Sequence, residues 1–143
     1  MHWSATKSVS RVGGTPQHSQ EKSVKRANEF VEHLSEVFRL FGAIHPKRMF
    51  GGYGVYHNAL MIGLVADDTL YLKTDALSAP LFSEAGSVPF EYTKRGVTMK
   101  MSYASAPVEV FDDPEIARIW ACRAYEAALR SSARSITRAK HRQ

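Results

Sequence analysis

A chain of 143 residues, 44% hydrophobic and 23% charged, is long enough to bury one core and too short for two ordinary domains. It has no apolar run of bilayer-spanning length and no apolar signal core in its polar first twenty residues. Its single cysteine, Cys122, excludes an internal disulfide and a thiolate metal cluster.

The cytoplasm is therefore the expected compartment, with no membrane contact. The net charge of +5 sits at the ends. Up to Arg26 there are five basic residues against Glu21, and from Arg130 to Gln143 five more with no acid. Nine basic residues face thirteen acidic ones in between. The body is thus a poor nucleic-acid surface, whereas Arg130, Arg134, Arg138, Lys140 and Arg142 can hold phosphates by counterion release.

Residues 1–20, rich in Ser, Gly and Thr, read as a disordered leader. From Ser19 to Phe41 the residues Val24, Ala27, Phe30, Val31, Leu34, Val37, Phe38 and Phe41 recur at steps of three and four, which predicts an amphipathic helix. Ser19 can cap it, Gly42 can end it, and Pro46 prevents its resumption. Met49 to Tyr56 reads as one glycine-interrupted strand, with the first helix crossing closely over Gly51, Gly52 and Gly54. His57-Asn58 turns the chain into Leu60–Ala66, a strand expected to be buried on both faces, and Asp67-Asp68 turns it back into Leu70–Lys73.

Ala76 to Ala85 predicts a short helix with Leu77, Leu81 and Phe82 inward and Gly86 at its end. Phe90–Thr93 and Val97–Tyr103 form a hairpin around the three-residue loop Lys94-Arg95-Gly96, with Val97, Met99, Met101 and Tyr103 sharing a face. The last helix starts with Asp113 as cap, Pro114 in the first position and Glu115 in the first turn. Ile116, Ile119, Trp120, Arg123, Ala124 and Ala127 are expected along one side, and an end is expected near Ser131. The element list defines an α+β fold: a two-layer sandwich of helix, three strands, helix, two strands, helix. The helices would pack on one face of a mainly antiparallel five-stranded sheet. Residues 21–131 form the expected domain, followed by a flexible basic tail over 132–143.

The glycines invite a phosphate-binding reading, which their surroundings reject. A Walker or dinucleotide loop needs a helix directly after the glycines, and here Val55, Tyr56 and a turn follow. The six histidines show no i, i+4 pair, and Cys122 lies within a helix. Asp67-Asp68 and Asp112-Asp113 are explained by a turn and a cap. Lys73 and Asp75 come nearest to a polar constellation, which Tyr53 could join in a pocket; otherwise they read as surface residues. Tyr53, Tyr56, Tyr71, Tyr92 and Tyr103 could stack bases, but no dense basic flank accompanies them. No catalytic, metal or cofactor-binding residues are expected, and no enzyme.

The segments KRMFGGYGVYHNALMIGLVADDTLYLKTD and PFEYTKRGVTMKMSYASAPVEVFDDPEIARIWACRAYEAAL together resemble the N-terminal domain of the TfoX/Sxy competence regulators. Arg48, Met49, Phe50, Gly51, Gly52, Tyr53, Gly54, Tyr71, Lys73, Tyr103 and Trp120 occur in the family's order, as structural markers. The resemblance implies a sandwich similar to secretion-chaperone-like domains. It also implies a role in regulating DNA uptake and competence genes, with no enzymatic activity and no cofactor. Full-length regulators carry a second domain similar to helix-hairpin-helix modules where this chain has its basic segment, so a stand-alone copy is expected. The expected partner is another protein, or a second copy in a homodimer; nucleic acid bound by the basic ends is the alternative.

Overall fold

In the computed structural model the backbone is described for residues 28–49 and 52–142, and side chains as far as residue 136. The leader, the Ser19 cap, Phe50 and Gly51 lie outside the described residues. Residues 28–37 form helix α1, which ends before the expected Phe41; its three-and-four spacing becomes a buried stripe of Val31, Leu34 and Val37, and Phe38 in the turn that follows is buried with them. The chain leaves this helical segment with the Gly42 N–H on the Phe38 carbonyl at 3.1 Å, and Gly42 has a φ of 147°.

Six strands follow in one sheet: β1 (His45–Met49), β2 (Gly52–His57), β3 (Leu60–Ala66), β4 (Thr69–Lys73), β5 (Pro89–Lys94) and β6 (Val97–Ser105). Their order is β1-β2-β3-β4-β6-β5, and every neighbouring pair is antiparallel. Helix α2 (Ala79–Glu84) lies between β4 and β5 in the chain. A 3-10 turn (Val108–Phe111) and helix α3 (Pro114–Arg142) close it. The core joins α1, α2 and α3 to Val55, Ile62, Val65, Leu70 and Leu72 on one side of the sheet. Two layers of the expected kind result.

Several expectations are corrected. The sheet has six strands, not five, because the stretch taken as one strand from Met49 to Tyr56 is the junction of β1 and β2, which pair from His45↔Tyr56 to Met49↔Gly52. Nothing apolar announces β1: His45, Pro46, Lys47 and Arg48 are all exposed, and an edge strand tolerates Pro46. The turn after β2 is Asn58-Ala59 rather than His57-Asn58, since His57 still pairs with Leu60. The hairpin of β5 and β6 turns on two residues, Arg95 and Gly96, because Lys94 pairs with Val97. Both central residues have positive φ, 54° and 80°, as a type I′ turn requires.

β3 is not buried equally on both faces. The register slips between Val55 and Tyr56, so that Val55 faces Gly63 while Tyr56 faces Met61. This bulge lets Ile62, Gly63 and Val65 all bury, whereas Met61 and Leu64 stay partly exposed on the other side. α2 starts at Ala79 rather than Ala76, so Leu77 lies before it and is exposed; within its six residues Leu81 is exposed too and only Phe82 is buried.

α3 buries Ala124 and Ala127 as expected, but Ile119 is exposed and further alanines take the inward positions. Ala117, Ala121, Ala124 and Ala128 recur at steps of four, three and four and bring the helix close to the sheet. Its start is as expected, with the Glu115 N–H donating to Asp113 Oδ1 at 2.9 Å. Its end is not: the helix passes Ser131 and continues to Arg142, where neither glycine nor proline interrupts and the cations suit a helix C-terminus.

Candidate interaction face of the sheet

The glycines decide what the sheet's second face looks like. A Cβ at Gly52 would sit 2.0 Å from the Val65 carbonyl oxygen, so β2 and β3 could not keep their spacing with any side chain there. A Cβ at Gly54 would meet Met49 Sδ at 2.7 Å and Tyr56 Cε1 at 2.9 Å. The expectation that the first helix crosses over these glycines is therefore replaced. What approaches Gly52 is a neighbouring strand, and what covers Gly54 is a group of side chains that includes Met61.

Alternation from the ladder pairs then assigns Leu64, Tyr71, Lys73 and Tyr103 to this face, away from the buried Leu70, Leu72 and Ala104. Lys73 Nζ lies 5.2 Å from the centroid of the Tyr103 ring, within cation–π range. Burial lowers the Lys73 pKa, and the nearby charge of Arg134 adds to the effect, while Asp75 opposes it. Burial also pushes the Tyr103 hydroxyl up to about 12, with the charge of Tyr56 acting in the same direction. Tyr71 packs edge-on to Phe90 at 4.8 Å.

The face continues onto β5 and β6. β6 pairs with β4 only from Tyr103 to Ser105, so its first six residues and β5 project as a two-stranded ribbon. Residues 91–102 are all exposed. Met99 is 51% exposed and Met101 40%, and both share a face with Tyr103, Tyr92 and Val97.

Asp75 corrects a second expectation: it is not a surface residue. Its side chain is 5% exposed and takes two hydrogen bonds from Arg130, Nε to Oδ2 at 2.5 Å and Nη2 to Oδ1 at 3.0 Å. The Ser78 N–H donates to Asp75 Oδ1 at 3.1 Å and the Asp75 N–H to Ser78 Oγ at 3.0 Å. Chiefly through the Arg130 hydrogen bond, and against burial, the carboxyl is held down at about 2. The D-A-L-S spacing signals the local pair; nothing in the sequence signals a partner 55 positions away.

Lys73, Asp75 and Tyr53 do not converge. Tyr53 lies on the helical side, its hydroxyl donating to Asn28 Oδ1. Of the other markers, Arg48 is exposed on the edge strand, and Trp120 packs on Phe82 at 4.7 Å with the Arg123 guanidinium 4.6 Å from its ring centre. Arg130 is engaged by Asp75 and Arg134 is exposed, while the side chains of Arg138, Lys140 and Arg142 lie outside the described residues. Among the described residues no group of His, Cys, Asp or Glu could hold a metal ion, and no helix is long and apolar enough to cross a membrane.

These features define the class: an α+β domain with a six-stranded antiparallel sheet, helices on one face and an open, aromatic and methionine-bearing face opposite. The chain matches the TfoX N-terminal domain over residues 36–128, well over half of its length, and belongs to that family. No curated protein matched it in a separate search.

Proposed function

We propose that the chain is a non-enzymatic regulatory or adaptor domain of the TfoX type, acting in the cytoplasm on DNA uptake and competence through contacts with another protein. A second copy of the chain is one such partner. The reading also takes the layers to be similar to those of secretion-chaperone-like domains. The observation that carries it is the open face, where Tyr92, Val97, Met99 and Met101 stand exposed beside Tyr71, Lys73 and Tyr103. Soluble domains seldom leave contiguous apolar side chains uncovered unless something docks there.

The test is capture from a bacterial lysate by the full chain and by a Met99→Glu, Met101→Glu variant. A specific protein should bind the first and not the second, with unchanged thermal unfolding. Failure to enrich any protein over a control domain of similar charge would sink the reading.

Nucleic-acid association is the second reading, favoured by the length of α3. Because the helix is continuous to Arg142, positions 130, 134, 138 and 142, all arginine, recur every four residues along it. DNA binding that weakens steeply with salt, and is lost on changing Arg134, Arg138 and Arg142 to Gln, would support it.

A further inference from the structure

We propose that β5 is a self-recognition edge: two copies of the chain pair their β5 strands antiparallel about a two-fold axis at Tyr92, joining two projecting ribbons into one four-stranded sheet. The proposal rests on the protein-binding reading above and names its partner and its register.

Among the described residues β5 ends the strand order and has a neighbour on one side only. A type I′ turn of two residues puts the Val97 N–H on the Lys94 carbonyl, and antiparallel alternation then turns the N–H and C=O groups of Glu91 and Thr93 outward. The 2.9 Å contact between Thr93 Oγ1 and Thr98 Oγ1 fits the closely spaced pair that this alternation assigns to them. The edge therefore offers two donors and two acceptors to another strand.

Symmetry and charge choose the occupant. A two-fold axis normal to the sheet keeps each face continuous, so a residue pairs with one of like parity in the second copy. Centring on Glu91 sets Glu91 against itself, which repels. Centring on Thr93 reaches into the turn, where Arg95 has a φ of 54° and the ladder ends. Centring on Tyr92 pairs Glu91 with Thr93 of the other copy, twice, and uses all the outward groups of both. It sets Tyr92 on Tyr92 and Phe90 opposite Lys94, and places Glu91 diagonal to Arg95, with no like charges facing. The exposed stripe of Tyr92, Val97 and Met99 then runs unbroken across the axis. An isolated two-stranded ribbon is marginal in water, and four strands supply the breadth it lacks.

The test uses the full chain with Cys122→Ser as background. In non-hydrogen-bonded antiparallel pairs the Cα atoms lie about 4.5 Å apart, within disulfide reach, so Tyr92→Cys should cross-link to its own copy under air oxidation. Thr93→Cys, offset along the strand, should not. Sedimentation should show a dimer for the parent chain at about 100 µM, and Thr93→Pro, which deletes an outward donor without touching the β5–β6 ladder, should weaken it at least about tenfold with unchanged circular dichroism. A parent chain that is monomeric throughout, a dimer indifferent to Thr93→Pro, or equal cross-linking at both cysteines would overturn the proposal. A monomer that still captures a protein through Met99 and Met101 would overturn it and leave the adaptor reading standing.

Discussion

β4 and the ribbon of β5 and β6 are built from the same alternation of apolar and polar residues and meet opposite fates. Leu72 of β4 is 1% exposed and Met99 of β6 is 51% exposed. The difference lies in which side of the sheet the apolar residues take: Leu72 faces the helices, whereas Met99 shares the opposite face with Tyr103. α3 runs over β3 and β4 with a seam of alanines, and Phe82 with Trp120 closes the space beside it. Among the described residues nothing covers the apolar side of the ribbon beyond Ser102. An alternating strand thus records that one side is apolar; whether that side becomes core depends on whether it is the side on which the helices lie.

The largest effect that tests this contrast is at the strand junction. Gly52→Val drives a side chain into the Val65 carbonyl, so it should cost about 4 kcal/mol or more, seen as insoluble expression or loss of the urea transition. Next come matched truncations on the two regions. Leu72→Ala should cost about 2–5 kcal/mol, while Met99→Ala should change stability by less than about 1 kcal/mol, both read from urea midpoints. Equal losses would erase the distinction between core strand and ribbon.

The Asp75 carboxyl is held at about 2 against an ordinary value of 3.8, so its depressed pKa stabilises the fold above pH 4 and that contribution is lost as the pH falls toward 2. Asp75→Asn should lower Tm at pH 7 and flatten its acid dependence between pH 4 and pH 2, followed by thermal scans. The smallest effect is a gain. Ala59 and Asp68 hold φ values of 67° and 58°, and replacing either by Gly should raise stability by about 0.5–1 kcal/mol in chemical denaturation.

Much of this was legible in the residues. Periodicity found the apolar face of α1, and cap chemistry placed the start of α3 on Asp113. Asp67-Asp68 and the loop Lys94-Arg95-Gly96, one residue too long, found two hairpins, and the family was recognisable from its motifs. β1 was not legible, because an exposed edge strand containing Pro46 carries neither alternation nor β-branched residues. The alanine seam was legible only in part: the pattern placed Ala124 and Ala127 inward but not Ala117, Ala121 and Ala128, because small side chains give a weak hydrophobic signal even where they are the most buried groups. The bulge in β3 shifted its faces without leaving a mark in the composition. Of the candidate residues, Lys73 and Tyr103 do meet, but the Asp75–Arg130 pair joins distant segments and only the fold brings it together.

The hairpin turns also bear on the order in which the fold assembles. Asn58-Ala59 and Asp67-Asp68 join β2, β3 and β4 through contacts between close sequence neighbours, with little loop entropy to lose. The contacts that fix α3 are remote: Asn58 donates to the Tyr125 hydroxyl across 67 positions, and Arg130 reaches Asp75 across 55. The meander is thus the natural nucleus, and docking of the last helix comes late. Substitutions in the β3–β4 turn should alter the refolding rate, whereas loss of the Asp75–Arg130 clasp should mainly accelerate unfolding.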